Sequence, residues 1–323
     1  MEQRFPGRLS AHDAAYTDTR RGRQRRLMTV TARPAVGSGA VIGTTALRRH
    51  LNLVRELAIT QFKLKYTGSV LGYLWSLFKP MMLFGITYAI FVYLFNVGRT
   101  SPHFALQLLV AIVLFTFFQE ATATAMSSVA GTGHLIRKAH FPRSILVLAS
   151  SLSAFITFLI NMTLIIVVGS AIGQMDLGLR SLLTPLFIVE LYALVLGFSL
   201  GLSALFVFYR DLGHIWEIVT QLLLYGSAVV YPYSLLTHGH RLLGQIAGLN
   251  PVAQIIEDVR HALVAGNLPY PPGVNYGSGP AVPWMASILG AATYLVPLSL
   301  VAAIVALGVT IFRRLEPRFA ENL

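Results

Sequence analysis

Six long apolar stretches constrain this chain more than any other feature of its sequence. A helix needs about 20 mostly apolar residues to cross the hydrocarbon core of a membrane. Six segments reach that length, and they are too long and too uniformly apolar for the strands of a membrane barrel: 71–96, 104–130, 144–172, 182–208, 214–236 and 285–312. Charged residues make up 12% of the chain, against roughly 25% in soluble domains. The sequence therefore predicts an all-α membrane protein with six transmembrane helices.

Lysine and arginine residues are distributed unevenly between the alternate connections of these spans. Four of the 25 fall on one set of connections, at Arg99, Arg180, Arg241 and Arg260. The rest lie on the other set and in the two terminal segments. Because positive residues are enriched on the cytoplasmic side of membrane proteins, we expect both termini and the loop 131–144 to be cytoplasmic.

The net charge of +12 is concentrated before residue 80, which favours a membrane surface over nucleic acid as its partner. The segment RRGRQRRL (20–27) resembles the start of a secretory signal, but no convincing apolar region follows it. We expect residues 1–42 to be a disordered, basic cytoplasmic tail and residues 43–323 to form the transmembrane domain.

Residues 44–65 have the pattern of an amphipathic helix that Thr44 or Thr45 would cap. One face is apolar, and most of the basic residues point elsewhere. We expect this helix to lie in the membrane interface. The alternative is a surface helix packed against the protein's own cytoplasmic side.

A second short helical region precedes the last span. Residues 249–267 begin with Asn250 as a helix cap and Pro251 at the first helical position, and they end at Gly266. An apolar stripe runs along the segment, with four polar residues off it, namely Glu257, Asp258, Arg260 and His261. Because the segment is too short to cross a bilayer, residues 240–266 predict an external, re-entrant helical hairpin.

The usual signatures of catalysis are missing from the sequence. No Gly-Lys pair occurs, so a P-loop nucleotide site is not expected. There is no cysteine and no HExxH motif, and the His238-x-His240 pair lacks a third nearby ligand. We expect neither a metal site nor a cofactor in this chain, and no enzymatic activity.

Three carboxylates lie within or near the apolar stretches, at Glu120, Glu190 and Glu217. An acid inside a bilayer is costly and marks a candidate functional site. Residues 119–133, rich in Thr, Ser, Ala and Gly, are consistent either with the wall of a conduction path or with close helix packing. Aromatic residues suit stacking on sugar rings, although interfacial belts give the same enrichment. The candidate lining residues are Tyr88, Phe115, Phe118, Glu120, Tyr225 and Tyr231.

Five segments occur in a fixed order around the six predicted spans: LKYTGSVLGYLWSLFKP (64–80), LIRKAHFPRSIL (135–146), YRDLGHIWEIVTQLLLYGSAVVYP (209–232), LNPVAQIIEDVR (249–260) and IFRRLEPRFAENL (311–323). In this arrangement residues 44–323 resemble the permease subunit of type-2 ABC transporters, in the branch that exports O-antigen, teichoic acid and related cell-envelope polysaccharides.

The resemblance implies a homodimer in the bacterial cytoplasmic membrane that binds two copies of a separate P-loop ATPase, which carries the ATP and Mg²⁺. Residues 133–143 match a coupling helix that sits in the ATPase, and residues 209–214 match a second contact. The coupling residues would be Arg137, Lys138, His140, Phe141, Pro142, Arg143, Arg210 and Asp211. The alternative for residues 133–143 is a set of charges that only fix the topology.

The same resemblance makes residues 240–266 a gate on the outer side, with Asn250, Pro251, Ile255, Glu257 and Arg260 as its candidate residues. The function it implies is ATP-driven export of a polysaccharide carried on a polyprenyl lipid. The alternatives are an exporter of the same family for a drug or lipid, and a membrane-embedded glycosyltransferase, which would require a cluster of Asp, Glu or His that the sequence does not show.

Overall fold

The structure is a computed structural model, and it describes residues 39–96, 103–131, 142–175, 178–231, 249–264 and 295–319. These ranges are helical, with one isolated bridge between Met175 and Val264. Eight α-helices are numbered in chain order: α1 Gly39–Tyr66, α2 Leu74–Ala89, α3 Phe104–Gly131, α4 Ser144–Ala171, α5 Thr184–Phe208, α6 Leu212–Gly226, α7 Pro251–Leu263 and α8 Leu295–Leu315. The contacts discussed below lie within residues 49–323, which form one compact unit.

Five of the described helices are long and apolar enough to cross a membrane. They are Leu74–Leu94, in which a π-helical turn at Ile90–Leu94 extends α2, together with Phe104–Gly131, Ser144–Ala171, Ser181–Phe208 and Leu298–Arg318. These five correspond to predicted spans 1, 2, 3, 4 and 6. The hydropathy pattern therefore located five helices that could span a membrane, and among the described residues the exception is the fifth predicted span.

The predicted span 214–236 is a shorter helix than expected. Helix α6 has 15 residues and ends at Gly226, which gives a length of about 22 Å against a hydrocarbon core of about 30 Å. Its end coincides with a turn in which Ala228 has a positive φ of 49°. Residues 227–230 continue as buried, non-helical chain, so a continuous helix over 214–236 is wrong.

Helix α3 occupies the centre of the bundle and packs against α2, α4, α5, α6 and α7. In an apolar stretch of 18 residues within α3, 72% of the residues are buried, compared with 11% in the corresponding stretch of Leu74–Leu94. We call the end of the bundle where α3 begins the upper end, and the end where α3 finishes the lower end. The described part of the chain covers little of α2, which leaves most of its apolar surface for lipid or for other protein segments.

Helices α5 and α8 approach each other more closely than ordinary side chains allow. A Cβ atom added to Gly197 would lie 2.9 Å from the backbone Cα of Val305, and one added to Gly308 would collide with the carbonyl of Gly197. Small residues permit this kind of backbone contact between membrane helices. The contact makes α5 and α8 a closely packed pair.

Helix α1 contains the predicted amphipathic segment and begins five residues before it, at Gly39. The apolar stripe is covered only toward the end of the helix, where Ala58 is fully buried, whereas Leu51 is 58% exposed. The last turn carries Lys63 and Lys65. The apolar surface near Leu51 is thus left uncovered by the described part of the chain.

Candidate functional site

An open cavity of about 410 Å³ lies where the end of α1, the first half of α2 and the middle of α3 meet. Two lysines, Lys65 and Lys79, line it together with Glu120 and the aromatic rings of Tyr66 and Trp75. The hydroxyls of Ser69, Ser76, Thr116 and Thr124 complete its polar surface. Charged, hydroxyl and aromatic groups thus share one accessible space beside the membrane-spanning helices.

The carboxylate of Glu120 forms an ion pair with the Lys65 ammonium, across 55 positions of the sequence. Both side chains are partly accessible, at 39% for Lys65 and 30% for Glu120. Burial alone lowers the pKa of Lys65, but the charge and hydrogen bond of Glu120, helped by Tyr66, outweigh it and leave the pKa above its usual value. The lysine is therefore charged at neutral pH.

A second set of polar contacts joins α1 and α2 to α4 beside this cavity. The Tyr73 hydroxyl donates to Asn161 Oδ1 at 2.6 Å, and Asn161 Nδ2 donates to the Ser76 carbonyl at 3.3 Å. The hydroxyl of Tyr66 lies 3.4 Å from Thr157 Oγ1. These contacts hold the α1–α2 turn against the middle of a membrane-spanning helix.

The two faces of α3 over residues 119–131 have different environments. On the packed face, Trp216 Nε1 donates to Thr122 Oγ1 at 3.0 Å, and Ala125 and Val129 are fully buried. On the opposite face, small and polar residues remain accessible in one row that continues downward from the cavity. That row, which we call the polar strip, consists of Thr116, Glu120, Thr124, Ser127 and Gly131.

The candidate aromatic lining residues occupy different environments. Phe115 and Phe118 are 3% and 0% exposed and pack in the core, so neither ring faces an accessible path in this structure. Tyr88 is half-buried and stacks on Phe84. Tyr225 is exposed, and its carbonyl accepts a hydrogen bond from the Tyr231 hydroxyl. Of the six candidates, Tyr225 is the most accessible, whereas Glu120, Tyr88 and Tyr231 are half-buried.

Helix α7 begins as predicted but is buried far more completely than an amphipathic surface helix. Asn250 Oδ1 accepts the N–H of Val252 at 3.0 Å, and Pro251 is the first helical residue. The Asn250 amide also donates to Ser227 Oγ at 2.7 Å. On the apolar stripe Ile255 is 1% exposed, and the helix ends at Leu263 instead of Gly266.

Two of the four polar residues off the stripe of α7 are also enclosed, whereas Asp258 and His261 are half-buried. Arg260 is 2% exposed and forms an ion pair with Glu257, itself 6% exposed. Its guanidinium donates to three carbonyls, those of Gln107 at 3.0 Å, Ala228 at 3.2 Å and Val229 at 2.9 Å. Arg260 therefore satisfies the backbone freed where α6 unwinds and fastens α7 to the upper end of α3.

The predicted coupling segment lies largely outside the described residues, which omit 132–141 and with them Arg137, Lys138, His140 and Phe141. Pro142 is exposed. The guanidinium of Arg143 donates to the Glu316 carbonyl and lies 5.5 Å from the ring of Phe319. This arginine thus contacts the C-terminal segment of its own chain, an interaction that the sequence did not predict.

The second predicted contact is accessible at the lower end. Arg210 and Asp211 are exposed in the short turn between α5 and α6, and the Arg210 guanidinium lies 5.5 Å from the Phe206 ring. Glu217, one turn into α6, is also exposed, whereas Glu190 in α5 is half-buried. A charged, accessible turn is therefore available to a protein partner here.

Metal-binding geometry does not occur in the described ranges, where no group of three or more His, Asp or Glu side chains could hold an ion. His238 and His240 lie outside those ranges. Sequence reasoning missed Lys65 as the partner of Glu120 and Arg143 as the partner of the C-terminal segment. The sequence offered one signal for each contact. Glu120 is a carboxylate in an apolar stretch and therefore needs a cation nearby, and Arg143 is a basic residue next to a proline.

The fold and the site define the class of this protein. It is a multi-helix membrane protein with an enclosed short helix at one end and charged turns at the other. Residues 52–264 match the ABC-2 type transporter family. The chain belongs to this family, whose permeases work with an ATPase partner in an ABC transporter.

Curated relatives give the same result over most of the chain. The chain is 24% identical to the O-antigen export system permease protein RfbA of Myxococcus xanthus, over 69% of this chain and 84% of that protein. Two proteins of the same name from Klebsiella pneumoniae are 25% and 26% identical, each over 81% of this chain and 91% of the relative.

Proposed function

We propose that this chain is the permease subunit of an ATP-driven exporter that moves a cell-envelope polysaccharide, carried on a lipid, outward across the bacterial cytoplasmic membrane. The observation that carries the proposal is the similarity to O-antigen export permeases over 81% of the chain, within a family of ABC transporters. The chain supplies the path, and ATP hydrolysis takes place on a separate subunit.

The cavity and the polar strip support this function because they offer the chemistry that a glycan needs. Carboxylate, ammonium and hydroxyl groups form hydrogen bonds with sugar hydroxyls, and the ring of Trp75, 51% exposed, provides a stacking surface. A polar strip facing lipid would be costly, so it fits a chain in which Thr124 and Ser127 face water, substrate or a second copy. The working unit in this proposal is a homodimer with two ATPase subunits.

The membrane arrangement in this proposal has six spans, with both termini cytoplasmic. The lower end of the bundle, with Arg210, Asp211 and Arg143, faces the cytoplasm and the ATPase. Helix α1 lies in the interface, in keeping with the exposed Leu51 on its apolar stripe and the basic last turn. Helix α7 belongs to an external re-entrant gate on the opposite side.

Tagging the full chain and purifying it from native membranes tests the assignment to a transporter. A P-loop ATPase should co-purify, and depletion of the chain should cause a lipid-linked polymer to accumulate on the cytoplasmic side. If the purified chain alone extended a glycan, it would be a glycosyltransferase. If depletion left polymer export unchanged, a polysaccharide would not be its substrate.

The absence of cysteine from the sequence allows a clean test of orientation. Single cysteines in place of Ser101 and Asn322 should differ in reactivity toward a membrane-impermeant maleimide. Ser101→Cys should react in intact cells, and Asn322→Cys only after permeabilisation. The reverse pattern would exclude the proposed orientation.

A further inference from the structure

The chain ends its described part in a short segment, residues 316–319, that folds back under the lower end of the bundle. Glu316–Arg318 form a 3-10 turn directly after α8. The next residue, Phe319, is fully buried. A short segment that follows the last helix buries a ring completely only where other parts of the chain cover it, so its contacts explain this burial.

The Phe319 ring belongs to a buried cluster that the lower ends of four long helices form. Its centroid lies 5.6 Å from that of Phe312 in α8, at an edge-on angle of 86°, and 6.0 Å from that of Phe208 in α5. The other fully or nearly fully buried members of the cluster come from α3, α4 and α5, namely Ala125, Val129, Val147, Ala204 and Val207. The Phe319 ring is thus part of a cluster to which most of the long helices contribute.

Arg143 attaches this segment to the start of α4. Its Nη1 donates to the Glu316 carbonyl, and its guanidinium carbon lies 5.5 Å from the Phe319 ring centroid. A cation at that distance from an aromatic ring is attracted by the ring face. The arginine therefore holds the segment by a hydrogen bond and a cation–π contact.

Arg143 and Phe208, which both contact the Phe319 ring, each border a predicted contact with the ATPase. Arg143 is the last residue of the segment 133–143, and Phe208 immediately precedes the turn that contains Arg210 and Asp211. The Phe319 ring therefore bridges, through Arg143 on one side and Phe208 on the other, the flanks of two loops that are 66 residues apart in the sequence.

We propose that residues 316–319 form a clasp that makes the two ATPase contacts move as one body, with Phe319 as its positioning residue. The clasp rests on the proposed function, because it takes segments 133–143 and 209–214 as the places where the ATPase acts. Without the ring, each loop responds to the ATPase separately, and less of the motion enters the membrane helices. The clasp thus sets how much export each ATP hydrolysis produces.

The test uses the full chain in complex with its ATPase subunit, purified and reconstituted in liposomes, and measures ATP hydrolysis and polymer export together. Phe319→Ala should leave the ATPase bound and hydrolysing while the polymer exported per ATP falls by about tenfold, a typical size for coupling between sites. Phe319→Leu restores apolar volume but not the ring face, and it should recover most of the coupling. Arg143→Gln, at a half-buried position, should lower the ratio while keeping the ring in place.

A matched control separates positioning from folding. Phe104 is also a buried phenylalanine, 4% exposed, but it lies at the upper end of α3. Phe104→Ala should reduce the amount of folded complex without changing the export per ATP. Equal ratios for Phe319→Ala, Arg143→Gln and wild type would overturn the clasp. If Phe319→Ala does not fold, Arg143→Gln decides through two measurements: a lower ratio with unchanged affinity for the ATPase supports the clasp, whereas an unchanged ratio or a weakened affinity contradicts it. Failure of any ATPase to bind the wild-type chain would instead overturn the proposed function.

Discussion

Two charge pairs in this molecule have the same chemistry and opposite environments. Arg260 and Glu257 are enclosed at the upper end, with side chains 2% and 8% exposed. Lys65 and Glu120 stand beside an open cavity, with side chains 39% and 30% exposed. Enclosure forces the first pair to satisfy every group internally, whereas the second can exchange its partners for water or substrate. The comparison indicates that the enclosed pair holds the fold, and we propose that the open pair serves the transport path.

The two environments also differ in what the loss of one partner costs. Removing one member of a buried pair leaves an uncompensated charge and typically destabilises a protein by about 3–5 kcal/mol. Exposed pairs contribute about 0–1 kcal/mol. The same type of substitution should therefore separate the two sites cleanly.

The largest expected effect is at Arg260. Arg260→Gln removes the donors to the carbonyls of Ala228 and Val229 and strands the Glu257 carboxylate, so we expect a loss of about 3–5 kcal/mol. Thermal unfolding in detergent measures it. Arg55→Gln, at a side chain that is 70% exposed, is the control and should change little. Equal melting temperatures for the two variants would show that the enclosed pair does not hold the fold.

The next largest effect is expected at the close contact between α5 and α8, where substitution of a glycine tests how much stability depends on that contact. Gly197→Ala places a Cβ 2.9 Å from the Val305 backbone, and overpacking of this kind costs about 1–3 kcal/mol. Gly201→Ala, one turn away, would meet Gly308 at an ordinary 3.5 Å and should be tolerated. Comparable stabilities of the two variants would mean that the helices move apart without cost.

A charge exchange tests the open pair. Lys65→Glu and Glu120→Lys should each lower stability by about 1 kcal/mol or less and sharply reduce export, and the double exchange should recover stability but not export. Lys63→Glu, in the same turn of α1 but outside the cavity lining, is the control for net charge. Full recovery of export by the double exchange would mean that the pair needs only mutual attraction and that the cavity does not recognise the position of its charges.

The smallest effect concerns alkaline pH. Because the folded-state pKa of Lys65 is raised above its usual 10.5, its contribution to stability is fully present at neutral pH and is lost as pH rises through the folded-state value. The difference in melting temperature between wild type and Lys65→Gln should therefore stay constant up to pH 10.5 and shrink above it. A difference that disappears near neutral pH would show that the lysine is not paired in the folded protein.

The sequence predicted those features that depend on local pattern. Hydropathy located five of the spans to within a few residues over most of their ends, because a membrane helix is defined by its own composition. The start of α7 was predicted from Asn250 and Pro251, whose preferences act within one turn. The early end of α6 was not, since the turn at Ala228 is stabilised by Arg260, which is 32 positions away.

The site was predictable only as separate residues. Glu120 was recognised as a carboxylate in an apolar stretch, but its partner Lys65 lies in another helix, and no periodicity connects the two. Phe115 and Phe118 were plausible lining residues until their packing placed them in the core. The contact of Arg143 with the Glu316 carbonyl and the Phe319 ring was not predicted, because sequence pattern records a charge and not which carbonyl or ring lies beside it.

The close backbone contact at Gly197 has a mechanical consequence. Helices that touch through their backbones have little side-chain material between them to deform, so α5 and α8 behave as a stiff plate. Helix α5 alone, at 25 residues, is about 37 Å long. The clasp at Phe319 contacts the lower ends of α5 and α8, and α7 packs against both helices near their upper ends. A tilt of the lower ends of α5 and α8 would therefore be transmitted to α7 at their upper ends, because the pair moves as one rigid body.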